Sequence, residues 1–446
     1  MISSLSDLSS RVAQARPGDV IVLSEGIFDG EKCHLSANGT AEKPIVIRAK
    51  NLGKAVIRGP LSVEGSHIHL VGFHLADKGN IEIRGTGCRV SRCVMNDVQA
   101  GKWIRVFPGS QQIEIDRCRF QNKTNNLVEP RGCQLMQIQV RNQGEKHHIH
   151  HNHFVDIPDG KTNNGYETIQ LITEGNPFDP EPGACGSVIE YNLFERCNGE
   201  AEVISVKSNN NLLRRNTFRD CRGGLVLRHG DGNTVSESFF LGDKEPRAGG
   251  VRLQGEDQVV VNNTFRSLSA YGVAMMDGTP DDLYIRTERA LIAFNTFAGC
   301  SPALVVGQNH SKHPNGTAPQ DCVIANNAFM LRASDVPGDV LKTVKLVQDD
   351  EPVNWTWEGN ITDGDLGMSA RDGIQIGELN LDLLKNGVVT PTTSSGLIGK
   401  AKGKYPDITN DVLGHSRGSK KTIGCVEFPS GIEDGGPLVE SDVGPE

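Results

Sequence analysis

The chain has 446 residues, of which 51 are glycine, and aromatic residues make up only 5% of it. Its formal net charge of -9 argues against a general nucleic-acid or anionic-membrane binder, because such proteins present a broad basic surface. No apolar run approaches the roughly 18 residues of a membrane span, and polar residues rather than a signal-peptide core follow Met1. We therefore expect a soluble protein.

The first predicted element is a short amphipathic helix over residues 4–16. Within this segment Leu5, Leu8 and Val12 recur at helical spacing, and a Pro-Gly pair follows it. A stack of strands ends in open edges that must be covered. We expect this helix to be the cap, which takes up about residues 1–20.

The main organisational signal is a phrase of alternating apolar residues that ends in Asn-x-Phe. The Phe residues that close the phrase or its variants are Phe120, Phe154, Phe194, Phe218, Phe240, Phe265, Phe297 and Phe329. The segment from one such Phe to the next can hold two or three short strands, and it cannot bury its apolar face alone. Stacked segments of this kind share a continuous core. The repeat predicts an all-β, right-handed parallel β-helix.

The boundaries follow from the extent of the repeat. We expect one domain with coils over about residues 20–333 and a wrapping tail over 334–446, with a final strand near TIGCVEF. The recurring Asn is expected at a turn, where it tolerates the left-handed conformation and bonds to its equivalents, while the Phe residues stack inside. The alternative is an antiparallel sandwich, but the hairpin signals that it requires are sparse.

The eleven Cys residues are scattered without a Cys-x-x-Cys pair. A zinc site or a dense disulfide framework is therefore not expected, and most of them are read as small buried residues.

Three consecutive strands carry cations that their sibling strands lack. Lys207, Arg228 and Arg252 follow one another at about one coil each, so they are expected to project from one face in adjacent rungs. Stacked cations repel one another unless an anion binds there. The pattern predicts a site for an acidic ligand.

Acidic residues accompany these cations. Glu200 and Glu202 alternate on a strand, and one coil earlier the segment YETIQLI offers Glu167 and Gln170 as further oxygen donors. Side-by-side carboxylates require a cation, and an oxygen-rich site favours Ca²⁺. The alternative is a solvated ladder in which the two Glu side chains pair with Lys207 and Arg228.

Proton abstraction beside a uronate carboxylate connects these groups to a reaction. The enolate-like dianion that forms requires a cation at the carboxylate and a base of lowered pKa at the proton. A calcium ion or an arginine can supply the first. A lysine near other cations can supply the second, because neighbouring positive charge disfavours its protonated form.

NGEAEVISVKSN followed by LVLRHG resembles the signature of polysaccharide lyase family 6, which contains alginate lyases and dermatan-cleaving chondroitinase B. PGDVIVLSEGIF, GTAEKPIVIRA, GGVRLQGEDQVVVNN and TIGCVEF also resemble the family's running order. The resemblance covers about residues 5–428.

By that resemblance Lys207 is the general base, and Arg228 is the general acid or electrostatic partner of the leaving group. His229 is implied to assist. Glu200 and Glu202 match the family's calcium ligands, while the third ligand, usually Asn, falls at Gln170. Predicted substrate contacts are Arg252, Glu256 and Tyr166, with surface ion pairing as the alternative for the first two.

The resemblance implies an alginate lyase that acts by β-elimination on an anionic polysaccharide. A dermatan sulfate lyase is the nearest alternative, and a non-catalytic acidic-glycan-binding β-helix is another. A uronate C5-epimerase fits less well, because its usual catalytic pattern is missing. Family members are typically exported from bacteria, so a periplasmic or secreted monomer is expected.

Overall fold

The computed structural model describes residues 2, 4–123, 132–161, 164–176, 182–281, 283–309, 312, 315–331, 342–347, 351–429 and 435–446. Two compact units divide the chain. The first unit comprises Met1–Asn211 and Leu438–Glu446, and the second comprises Leu212–Pro437.

A single α-helix opens the first unit. Helix α1 spans Leu5–Val12, and the Ser4 side chain accepts a hydrogen bond from the Asp7 N–H at its start. Its apolar positions Leu5, Leu8 and Val12 are buried. The helix is shorter than the predicted 4–16, because Ala13 already forms its C-cap ahead of the Pro-Gly pair.

The first unit then consists of short strands. They are β1 (Val20–Leu23), β2 (Gly26–Phe28), β3 (Cys33–Asn38), β4 (Ile45–Ala49), β5 (Ala55–Ile57), β6 (Leu61–Ser66), β7 (Ile68–Val71), β8 (His74–Leu75), β9 (Ile81–Thr86), β10 (Arg89–Ser91), β11 (Val94–Asn96), β12 (Ile104–Val106), β13 (Glu114–Asp116), β14 (Arg119–Gln121), β15 (Met136–Val140), β16 (His148–His150), β17 (His153–Ile157), β18 (Ile169–Thr173), β19 (Val188–Glu190), β20 (Leu193–Cys197) and β21 (Glu202–Lys207). Every third strand joins the same sheet. We call the sheets that begin with β1, β2 and β3 sheets A, B and C.

The second unit repeats this arrangement. Its strands are β22 (Leu212–Arg214), β23 (Thr217–Arg219), β24 (Gly223–His229), β25 (Thr234–Ser236), β26 (Phe239–Leu241), β27 (Ala248–Leu253), β28 (Gly255–Glu256), β29 (Val259–Val261), β30 (Thr264–Arg266), β31 (Tyr271–Met275), β32 (Thr287–Glu288), β33 (Leu291–Ala293), β34 (Thr296–Ala298), β35 (Leu304–Val306), β36 (Val323–Ala325), β37 (Ala328–Met330), β38 (Val344–Leu346), β39 (Thr356–Glu358), β40 (Asn360–Thr362), β41 (Ile374–Ile376), β42 (Leu381–Leu383) and β43 (Val389–Pro391). A 3₁₀ turn spans Glu440–Asp442 in the first unit's C-terminal segment.

The strand pairing confirms the parallel β-helix. In each unit three long parallel sheets form from strands that lie one coil apart, and β42 with β43 is an antiparallel pair. Parallel pairing continues beyond residue 333, where the sequence repeat fades, since β38 pairs with β35 and β41 pairs with β40.

Stacked phenylalanine rings fill the interior as expected. In the first unit Phe154 stacks on Phe120 and Phe194 with ring centroids 4.8 Å apart. A second stack in the other unit runs through Phe218, Phe240, Phe265, Phe297 and Phe329. Contact between rings at this spacing stabilises the stack when successive coils are in register.

The Asn of each phrase forms a buried ladder. In the second unit the Asn295 side-chain amide donates to the Asn327 Oδ1 (3.0 Å), and Asn327 donates to Asn360 (3.0 Å). The expectation that this Asn adopts the left-handed conformation was wrong: the residue before it does so, as at Phe294 (φ 55°) and Asn326 (φ 54°). The turn thereby directs the Asn side chain inward to its equivalents.

The tail differs from expectation in one element. The predicted strand at residues 422–428 does not form, and Cys425 and Val426 instead pack in an apolar cluster with Phe239, Val388 and Val412. All eleven Cys residues are buried free thiols, which confirms their interpretation as core residues. In the part of the chain that the structure describes, no helix is long and apolar enough to cross a membrane.

Candidate active site

Sheet C positions the candidate base in the first unit. Lys207 is the last residue of β21, where it pairs with Ile172 of β18, and Gln170 pairs with Ser205 two residues earlier. Every position of β21 is buried, and Lys207 is 8% exposed. One continuous strand holds both Glu202 and Lys207. The Lys207 side chain is therefore almost completely buried at the end of this strand.

Buried acids lie just before β21. Glu200 precedes the strand and Glu202 begins it, so strict alternation along a strand does not relate them as expected. The Glu200 Oε1 accepts hydrogen bonds from the N–H groups of Gly165 (2.9 Å) and Tyr166 (3.0 Å). These bonds fix the carboxyl group of Glu200 against the neighbouring coil.

Burial is the main cause that raises the pKa of Glu200 from its ordinary value of 4.5 to about 8. The negative charges of Glu167 and Glu202 raise it further. The Oε2 atom of Glu167 is buried and has no hydrogen-bond partner among the described residues. Burial and the neighbouring negative charges thus favour the protonated form of Glu200, and a cation bound beside it would favour the ionised form.

The same group can be tested as a calcium site. Its buried carboxylate oxygens and the raised pKa of Glu200 fit a hard cation. Gln170 fits less well, because its Oε1 accepts from Gln137 (2.8 Å) and its amide nitrogen donates to Glu167 (2.7 Å). Glu167, which the sequence offers beside Gln170 in YETIQLI, has a buried carboxylate oxygen without a hydrogen-bond partner among the described residues.

Tyr166 lies in a different setting from the expected substrate contact. Its side chain is 2% exposed, and its ring packs against the Lys123 ammonium at 5.3 Å. Burial raises the pKa of the Tyr166 hydroxyl. The side chain is therefore enclosed and does not lie at the surface where a substrate contact was expected.

The second unit carries the arginines. Arg228 and His229 end β24, and Arg252 on β27 pairs with Val226. Val226 lies two residues before Arg228, so their side chains point to the same face of the sheet. Arg252, which lies beside Val226, therefore projects from the same face as Arg228. The Arg228 guanidinium lies over the Tyr284 ring at 5.4 Å, whereas His229 has no exposed surface.

Glu256 belongs to an ion-pair network. Arg289 pairs with Glu256, with Asp257 (2.9 Å) and with Glu288 (2.8 Å). The Glu256 N–H also donates to Asp231 Oδ1 (2.8 Å). These contacts fit the surface ion pairing that was the alternative for Glu256. A substrate carboxylate that bound beside Glu256 would have to share Arg289 with three acids.

Comparisons with known proteins agree with the fold. The family model described as chondroitinase B matches residues 2–403. Among solved structures, a mutant of the family 6 alginate lyase AlyGC superposes with a TM-score of 0.77 at 22% identity, over 99% of this chain and 58% of that one. The chain thus spans under two thirds of AlyGC. No curated protein gives a significant match.

Two further structures are similar over most of their length. An alginate lyase of the same family in complex with a trisaccharide has a TM-score of 0.73 at 19% identity, over 98% of this chain and 93% of that one. A mannuronic-acid-specific family 6 lyase from human gut microbiota has a TM-score of 0.66 at 26% identity, over 81% and 85%.

The fold defines the class, which is that of the parallel β-helix proteins. Within this class the chain belongs to the chondroitinase B family, since the family model covers most of its length.

Proposed function

We propose that the protein is a polysaccharide lyase that cleaves alginate by β-elimination. Family membership and the alginate lyases among its structural neighbours support the polysaccharide substrate. The observation that carries the proposal is the arrangement around β21, where a nearly buried lysine ends the strand that follows Glu200. A desolvated lysine and uncompensated acids are features of a site built to move protons.

In this mechanism Lys207 removes the C5 proton of a uronate, and the electron pair forms the C4–C5 double bond. The C4–O4 bond breaks, and the leaving oxygen receives a proton from Arg228 or is stabilised by its charge. His229, which follows Arg228 and is buried, is proposed to assist at the site. The products are an unsaturated uronate end and a new hydroxyl end.

We further propose that Glu200 and Glu202 hold a calcium ion, with Glu167 or Gln170 as the third ligand. A calcium ion held by these residues would supply positive charge near the substrate carboxylate. Arg252, Glu256 and Tyr166 are the proposed substrate contacts. For Arg252 the support is its position on the same outward face as Arg228.

A dermatan sulfate lyase is the second candidate, and the description of the matching family model favours it. Both substrates contain uronates that undergo the same elimination. A protein that binds an acidic glycan without cleaving it is the remaining alternative.

The test is ultraviolet absorbance of newly formed unsaturated uronate ends, measured on alginate and on dermatan sulfate, with and without a calcium chelator. Absorbance should rise on alginate for the parent protein and for Lys345→Ala, which removes an exposed lysine of β38, but not for Lys207→Ala. A rise on dermatan sulfate alone would support the second candidate. Binding without any rise on either polymer would contradict the lyase.

Export and a monomeric state remain predictions. We propose a periplasmic or secreted monomer, because exported enzymes meet polymers that cannot enter the cell. Light scattering of the purified protein tests the monomer, and fractionation of the producing cells tests the location.

A further inference from the structure

A second group of titratable side chains lies on sheet A of the first unit, whereas Lys207 belongs to sheet C. Glu114 and Asp116 on β13 and His150 on β16 each offer a ligand atom, and these atoms all lie within 4.8 Å of one another. The two strands are parallel neighbours, with Asp116 beside His150 and Glu114 beside His148. The predicted chemistry of the chain does not use this group.

The local sequence explains why these side chains meet. Residues two apart on a strand point to the same side, so β13 presents two carboxylates and β16 presents two imidazoles on the outward face. The His148 and His150 ring centroids are 4.0 Å apart. Imidazole together with carboxylate is a donor set that suits Zn²⁺ and related ions better than Ca²⁺, which prefers oxygen alone.

We propose that Glu114, Asp116 and His150 bind a divalent transition-metal ion, with Zn²⁺ as the best match to the donor set. The ligands come from two successive coils, so the ion ties β13 to β16. This inference stands independently of the lyase proposal.

Asp116 is held as a metal-ligating carboxylate usually is. Arg89 donates two hydrogen bonds to it (2.8 Å each), and the Ser91 hydroxyl donates a third (3.1 Å). A carboxylate has about four acceptor positions, so these contacts leave one for an ion. Outer partners of this kind orient a ligand before the ion arrives.

His150 is oriented in the same way. Its Nε2 faces Glu114 Oε1 at 3.1 Å, and its Nδ1 lies 2.8 Å from the Nδ1 of His151. The Nε2 of His150 therefore points toward the carboxylates.

Two neighbouring carboxylates repel each other unless positive charge lies between them. Arg89 supplies one positive charge to Glu114 and Asp116, which carry two negative charges. A metal ion bound to these carboxylates and to His150 would supply the remaining positive charge.

The experiment uses full-length protein without an affinity tag, stripped with a chelator that is then removed. Co²⁺ is titrated in, its visible absorption is recorded, and Zn²⁺ is added in competition. We expect one equivalent of Co²⁺ with nitrogen-ligand absorption bands, displaced by Zn²⁺, and a higher melting temperature for the loaded protein.

His150→Gln and Glu114→Gln should each weaken Co²⁺ binding at least about tenfold. His34→Gln, which alters an exposed histidine of β3, should leave it unchanged. Glu114 is partly exposed, so its variant tests the site even where His150→Gln fails to fold.

Two results would overturn the inference. One is the absence of Co²⁺ binding at millimolar concentrations in the parent protein. The other is Co²⁺ binding that both His150→Gln and Glu114→Gln leave intact.

Discussion

Two acidic groups in the first unit differ in how their charge is compensated. On sheet A, Glu114 accepts from His150 and lies 3.4 Å from Arg89, and these neighbours lower its pKa. Ahead of β21, Glu200 is buried near Glu167, and its pKa rises to about 8. Glu114 is thus stabilised in its ionised form, whereas Glu200 is stabilised in its protonated form.

The difference shows that position in the repeat does not fix the chemistry of a carboxylate. Each Glu lies on or beside a short strand of the same solenoid, but only the first has an arginine within reach in the described contacts. An uncompensated buried acid costs stability unless a proton, a cation or a ligand completes it. This cost is why we assign the reaction to the region around β21.

The largest effect is expected for the base. Lys207→Ala should lower kcat/KM on alginate by about 10²–10⁴-fold, because general-base catalysis is lost. His150→Gln, on sheet A, should leave kcat/KM unchanged. Equal losses in both variants would erase the distinction between the two acidic groups.

The next effect concerns stability against pH. Between the ordinary pKa of 4.5 and about 8, folded Glu200 keeps a proton that the unfolded chain has lost. The free energy of unfolding therefore falls as the pH rises through this window. Glu200→Gln should flatten that fall and stabilise the protein at pH 8, in a chelator, by on the order of 1–3 kcal/mol. Urea unfolding at pH 5 and pH 8 measures it, and an unchanged slope would contradict the raised pKa.

Calcium removal should have a moderate effect. If Glu200 and its neighbours hold the ion, a chelator lowers the rate of alginate cleavage about tenfold or more, and added Ca²⁺ restores it. Glu200→Gln should be slow both with and without the ion. A chelator that changes nothing in the parent protein would mean that a proton, rather than calcium, completes this group.

The smallest effect is expected at Glu114. Its lowered pKa contributes stability above the ordinary value of 4.5 and loses it as the pH falls through the folded value. In metal-free protein Glu114→Gln should cost about 0.2–1 kcal/mol at pH 7, because the side chain is partly solvated, and almost nothing in acid. If Glu114→Gln were more stable than the parent protein at pH 7, the ionised Glu114 would destabilise the fold, and the contrast with Glu200 would be contradicted.

Sequence periodicity predicted the solenoid because its signals are local and repeated. The Phe stack and the Asn ladder each follow from one residue type that recurs once per coil, so a single chain carries several copies of the same information. The residues of the candidate active site were harder to predict from the sequence. Glu167 was seen only as an additional donor beside Gln170, since a linear pattern does not tell which amide atom faces which carboxylate.

The sequence by itself determined the parallel β-helix, the N-terminal helix, the buried cysteines and the family signature around Lys207. Tertiary structure decided that α1 ends at Val12, that residues 422–428 pack without forming a strand, and that Tyr166 and His229 are enclosed. It also brought His150 to Glu114 and Asp116, 34 residues or more away in the chain. Repeated apolar patterns specify a coil locally, whereas burial and the balance of charge depend on which residues the neighbouring coils bring together.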